Sequence, residues 1–300
     1  MWVRRVARVA VAMTVGTGLA LLGAGVSHAD PAPSSGEYVA LGDSYVAGPL
    51  ILAPTGQPAG CLRSDRDYPS LVRAGLRTAT FTDVSCGGAT TADMTAPQPV
   101  TGGANPPQLG AVTGRTALVT LGIGGNDIGF AEIITTCATR SSAQPLGAAC
   151  RDFYHQGGRD QLAERIQRTA PKVAAVLHEI DKRAPRAKVL VVGYPTILPD
   201  SGPGCYPVVP FSAGDVAYLR ATEKALNAML AAQAARAGAV FVDTYRSSVG
   251  HDICQLPGTK WVEGLVPTAP AAPVHPNELG MRHSANRVLV ALHVSPSPGS

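Results

Sequence analysis

Aromatic side chains are scarce: Phe, Trp and Tyr make up 5% of the 300 residues, which weighs against an extended platform for stacking sugar rings. Charge is sparse as well. Asp, Glu, Lys and Arg together account for 15%, and no basic stripe interleaved with aromatics offers a footprint for nucleic acid. None of the six cysteines forms a C-x-x-C pair, so the close ligand spacing of most zinc sites is missing. Beyond the first 29 residues no apolar run reaches the roughly eighteen residues that a membrane span needs. Internal repeats and a linker between two domains are also lacking, which leaves one domain over residues 30–300.

The N-terminus is different in kind. Residues 1–29, "MWVRRVARVAVAMTVGTGLALLGAGVSHA", place Arg4, Arg5 and Arg8 before an apolar run, then close on Ser27-His28-Ala29. A charged start, an apolar middle and small residues at the cut describe a secretory signal, with cleavage after Ala29 and no lasting anchor. The pair Arg4-Arg5 hints at twin-arginine export, although the flanking residues give that route little support. Removing this leader leaves 22 basic against 21 acidic side chains, so most of the formal charge of +4 belongs to the leader. In an exported chain, Cys61, Cys86, Cys137, Cys150, Cys205 and Cys254 read as three disulfides. Pairing neighbours along the sequence gives 61–86, 137–150 and 205–254, each worth roughly 3 kcal/mol by loop entropy.

Five short apolar runs read as buried parallel strands: Glu37–Leu41, Ala79–Val84, Ala117–Leu121, Lys188–Val192 and Ala239–Val242. Helical periodicity covers Arg159–Arg183 and Asp215–Ala237, and a last helix begins near Pro276. Pro171 should kink or split the first of these. Strand–helix alternation predicts an α/β fold, a doubly wound three-layer α/β/α sandwich around a five-stranded parallel sheet. Ligands collect at the carboxyl ends of the strands in such sheets. Ser44, the Cys86-Gly87-Gly88 turn and the Gly124-Gly125-Asn126-Asp127 segment all follow predicted strands, and so belong on one edge.

Four blocks in order, "GDSYVAG" (42–48), "SCGGATTADM" (85–94), "LGIGGNDIGF" (121–130) and "VHPNELGM" (274–281), resemble the SGNH hydrolases, also called the GDSL lipase/esterase family. With the leader and six cysteines, the pattern looks most like the secreted actinomycete lipases and esterases, over nearly all of the mature chain. The resemblance implies a flavodoxin-like SGNH fold and a serine carboxylic-ester hydrolase working through an acyl-enzyme on lipid or small acyl esters. It implies Ser44 as nucleophile, His275 as base, and the Ser44 and Gly88 N–H groups with Asn126 as the oxyanion hole. No cofactor, metal, nucleic acid or membrane span is expected, and the chain should act as a monomer, secreted or at the cell envelope.

Two positions depart from that pattern. Tyr45 stands where the family name has leucine. Ala272 stands where many members carry an acid three residues before the histidine. A main-chain carbonyl, from Ala272 or its neighbour, is then expected to orient His275, with Asp252 and Asp243 as fallback acids. Asp43 and Asp127 read as structural groups shaping their turns. His251 and His283 are rivals to His275, and a metal site built from 251, 275 and 283 lacks a supporting carboxylate. The apolar stretch after Ser44, "VAGPLILAP", reads equally as an acyl-pocket wall or a packed loop. An acetyl-carbohydrate esterase is the alternative substrate reading. A catalytically inactive envelope-binding protein is the alternative from another class, favoured only by the missing acid.

Overall fold

The computed structural model describes residues 36–78 and 80–295, all within one compact unit. The expected leader and its expected cleavage site lie outside the described residues, as does Ala79 at the start of the second expected strand. In chain order the elements begin with β1 (Glu37–Gly42), α1 (Ser44–Ala47), α2 (Tyr68–Leu76) and β2 (Phe81–Asp83). A small hairpin follows, β3 (Gln98–Val100) and β4 (Gly103–Asn105), and then β5 (Thr116–Gly122), α3 (Phe130–Ala143) and α4 (Ala149–Tyr154). A second hairpin, β6 (His155–Gln156) and β7 (Arg159–Asp160), leads into α5 (Gln161–Arg183), β8 (Lys188–Val192), α6 (Ala213–Arg236), β9 (Val240–Val242) and α7 (Glu278–Ala291).

Five strands form the central sheet in the order β2-β1-β5-β8-β9, every pair parallel. Side chains alternate across a strand, so one run of apolar residues feeds two cores. Val39, Leu41, Val119, Leu121 and Val191 face α5 and α6, with α3 and α4 drawn into the same cluster. Tyr38, Ala40, Leu118 and Leu190 face α2 and α7. This is the expected three-layer α/β/α sandwich. Its strand order reverses at the β1–β5 pair, where Gly42 lies in register with Gly122. The crevice beyond that pair is where such folds bind ligands.

Pro171 neither splits α5 nor ends it. Both Pro171 and Gln167, whose carbonyl loses its partner, are exposed, so water can satisfy that carbonyl, while Val173, Val176, Leu177 and Ile180 stay buried below. The last helix begins two residues after Pro276, because the Asn277 side chain caps it by accepting from the Leu279 and Gly280 N–H groups. Disulfides join Cys61 to Cys86, Cys137 to Cys150 and Cys205 to Cys254.

Candidate active site

Ser44 opens α1 immediately after β1, with Asp43 as the N-cap. The chain can turn this tightly because residue 42 is glycine: a Cβ there would run into the Gly122 carbonyl and the Val46 side chain. Gln108, fully buried, holds Gly42 at both ends, accepting from its N–H at 2.8 Å and donating to its carbonyl at 2.9 Å. Asp43 points away from Ser44. One of its oxygens accepts from the Tyr45 N–H at 2.9 Å and the other from the Tyr194 hydroxyl at 2.5 Å. Burial pushes the Asp43 carboxyl up to about 7, against the pull of those two donors.

His275 reaches this turn from the segment before α7. Its Nε2 lies 2.8 Å from Ser44 Oγ, and its Nδ1 lies 2.8 Å from the Pro273 carbonyl. A carbonyl only accepts, so Nδ1 carries the proton and Nε2 offers its lone pair to the serine hydroxyl. Burial lowers the His275 pKa below its ordinary value, with the Pro273 carbonyl pulling the other way. The free imidazole is therefore neutral at pH 7 and ready to take a proton.

Two other strand ends bring in donors. Gly88, with φ +76°, sits in the turn after β2, where the Cys86 N–H donates to the Gly42 carbonyl and the Gly87 N–H to the Cys61 carbonyl. Among the described residues, no protein acceptor meets the Ser44 or the Gly88 N–H. Asn126 follows β5 and donates one Nδ2 hydrogen to the Ala89 carbonyl at 2.9 Å, which leaves the other free. Its neighbour Asp127 accepts from the Thr91 N–H and hydroxyl at 2.9 and 2.5 Å, tying the two loops together.

Residues 40–283 match the GDSL-like Lipase/Acylhydrolase family. The chain belongs to that family. It is 41% identical to Lipase 2 of Streptomyces coelicolor over 294 residues, 96% of this chain and 97% of that protein. Among solved structures it resembles the phospholipase A1 of Streptomyces albidoflavus NA297, with a TM-score of 0.70 and 28% identity over 85% of this chain and 98% of that one. The extracellular lipase of Streptomyces rimosus gives a TM-score of 0.68 and 31% identity over 86% of this chain and 99% of that one. This GDSL-like lipase/acylhydrolase is thus a carboxylic-ester hydrolase of the lipase/esterase group.

In this GDSL-like hydrolase the carbonyl on His275 Nδ1 is that of Pro273, not of Ala272. The Ala272 oxygen is engaged by the His275 backbone N–H at 3.2 Å, closing the turn, and Val274 at φ +58° swings the imidazole back over Pro273. The fallback acids are occupied elsewhere. Asp252 accepts from the Cys254 N–H and Gln255, and Asp243 accepts from the Arg246 N–H. His251 and His283 each stack on Trp261, with ring centroids 3.6 and 4.4 Å from it, and among the described residues no group of three His, Cys, Asp or Glu side chains is arranged to hold a metal ion.

Three residues of this neighbourhood went unread in the sequence. Gln108 is one. Glu263 is another: it is buried, it accepts from Asn277 and Thr268, and its N–H donates to the His275 carbonyl at 2.9 Å. The third is Tyr194, whose hydroxyl donates to Asp43 and accepts from the Gly125 N–H at 2.8 Å, coupling the Ser44 turn to the Asn126 loop. Gln108 and Tyr194 act on partners 66 to 151 positions away, and only the fold supplies that proximity. Tyr194 also lines an apolar cleft between α3 and α6, with Phe130, Ile134, Ile197, Leu219 and Leu226.

Proposed function

We propose that Ser44 and His275 form the catalytic dyad of an exported lipase/esterase that cleaves lipid or small acyl esters. The observation that carries the reading is the pair of 2.8 Å contacts at His275, one to Ser44 Oγ and one to the Pro273 carbonyl. In the first step Ser44 Oγ attacks the ester carbonyl carbon while Nε2 takes its proton. The carbonyl electron pair moves onto oxygen, which receives the Ser44 and Gly88 N–H groups and the free amide hydrogen of Asn126. The intermediate collapses as Nε2–H protonates the departing alcohol, which leaves an acyl-serine. Water deprotonated by Nε2 then attacks the acyl carbon, and collapse returns a proton to Ser44 and releases the acid.

No step requires a cofactor. The apolar cleft between α3 and α6 begins beside Gly125 and Tyr194, and we assign it the acyl chain. Leu50, Leu52 and Leu62, exposed on the loop that leaves α1, offer an apolar rim to a lipid substrate. The basic start and apolar run of the first 29 residues support export, as do three disulfides, which persist in oxidising compartments. Similarity to an extracellular Streptomyces lipase points the same way.

Labelling by a fluorophosphonate tests the nucleophile directly. The oxidised protein should gain one adduct, mapped by mass spectrometry to Ser44, lost in Ser44→Ala and slowed in His275→Ala. An adduct on another residue, or equal labelling of Ser44→Ala, contradicts the assignment.

A further inference from the structure

The two departures from the family pattern, Tyr45 for leucine and Ala272 for an acid, meet at one point. Tyr45 is buried, and its hydroxyl donates to the Val274 carbonyl at 2.6 Å, across 229 positions of sequence. Val274 directly precedes His275 and holds φ at +58°, a region β-branched residues seldom enter. Such a conformation persists only where its surroundings over-determine it. Backbone bonds pin the segment from one side, from the Val274 N–H to the Gly264 carbonyl at 3.2 Å and from the Glu263 N–H to the His275 carbonyl at 2.9 Å. Tyr45 pins it from the side of the nucleophile. The phenol ring is itself fixed, edge-on to Phe130 at 5.7 Å and to Tyr194 at 5.1 Å, and it lies tilted against the His275 ring at 5.0 Å between centroids.

We propose that Tyr45 is a positioning residue for His275 and stands in for part of what the missing acid would do. The proposal rests on the reading of Ser44 and His275 as the dyad. A carboxylate in the usual place would orient the imidazole and also stabilise its protonated form. The Pro273 carbonyl orients it but carries only a partial charge. The Tyr45 hydroxyl keeps residues 273–275 in the conformation that aims that carbonyl at Nδ1. The ring adds a π face within about 6 Å, the range over which aromatic quadrupoles attract cations. That attraction appears only as His275 gains a proton, so it lowers the barrier without tightening substrate binding. Leucine at 45 would fill the space but supply neither the hydroxyl nor the π face. Because Tyr45 shares helix α1 with Ser44, one short turn carries the nucleophile and the brace for its base.

The test compares Tyr45→Phe, which removes only the hydroxyl, with Tyr45→Leu, which also removes the ring. Initial rates on p-nitrophenyl butyrate give kcat and KM separately, with Ser44→Ala and His275→Ala alongside and circular dichroism confirming the fold. Tyr45→Phe should lower kcat about tenfold at nearly constant KM, about 1.4 kcal/mol in barrier height. Tyr45→Leu should fall about fivefold further, consistent with loss of a cation–π contact at the weak end of the usual range. The downfield proton resonance of His275 Nδ1–H should be sharp in the parent protein and should broaden by solvent exchange in Tyr45→Phe. Unchanged kcat in both folded variants, or a loss confined to KM, overturns the proposal. Should Tyr45→Leu not fold, Tyr45→Phe carries the test alone, since it differs by one oxygen. Parent-like rates in Ser44→Ala or His275→Ala would instead overturn the dyad beneath it.

Discussion

Removing the Tyr194 hydroxyl should destabilise the protein by an amount that depends on pH. That oxygen donates to the Asp43 carboxyl at 2.5 Å and accepts from the Gly125 N–H at 2.8 Å, both inside the core. Asp43 is an acid whose pKa in the fold, about 7, stands above its ordinary 3.8, chiefly through burial. Its protonated form therefore favours the fold, a contribution complete below about pH 3.8 and lost as pH rises through about 7. At about pH 5.5 Tyr194→Phe breaks neutral hydrogen bonds, each worth about 0.5–1.5 kcal/mol, and strands the Gly125 N–H. At about pH 8 the bond lost to Asp43 is one to a carboxylate, worth about 1.5–3 kcal/mol. The variant should thus cost about 1–1.5 kcal/mol more at the higher pH, because Tyr194 holds the Asp43 pKa down and its removal pushes it further up. Urea unfolding of both oxidised proteins at the two pH values measures the gap. Equal destabilisation at both would refute the placing of an ionising carboxyl under that hydroxyl.

Asn126→Ala should lower kcat on p-nitrophenyl butyrate on the order of 10²–10³-fold, as loss of one oxyanion donor does, with the fold intact by circular dichroism. Replacing Ile134 by tryptophan would fill the cleft between α3 and α6; relative rates along a series of p-nitrophenyl esters should shift toward the shortest acyl chains, and an unchanged profile would place the acyl chain elsewhere. Serine at both Cys61 and Cys86 should cost about 3.5 kcal/mol in unfolding free energy, by the loop-entropy estimate for a sequence separation of 25, and should loosen the turn that carries Gly88.

The central strands β1, β5 and β8 were legible because each is a short apolar run, the composition of a parallel strand largely covered on both faces. The edge strands β2 and β9, with a neighbour on one side only, are partly exposed rather than buried as expected. The positions of Ser44, Gly88 and Asn126 at strand ends followed from that pattern. Helices α2 and α3 went unread for different reasons. The signals for α2, the cap Asp67 and Pro69 in its first turn, were present in the sequence but short. Helix α3 buries only Ile133, Cys137 and Ser141, and its threonines blur the apolar stripe. Choosing Pro273 over Ala272 as the carbonyl on His275 depends on the sign of one backbone angle, φ of Val274, which residue types leave open. Gln108, Tyr194 and Glu263 act through buried hydrogen bonds; glutamine and glutamate are mostly surface residues and tyrosine is found in both settings, so composition gives no hint of such a role.

Turnover of p-nitrophenyl butyrate by the oxidised parent protein, beside Ser44→Ala and His275→Ala prepared identically, bears most directly on the dyad. The 2.8 Å contact between His275 Nε2 and Ser44 Oγ predicts that either change removes activity on the order of 10⁴-fold or more, while circular dichroism stays unchanged. Hydrolysis by Ser44→Ala at the parent rate would contradict it and move the nucleophile elsewhere.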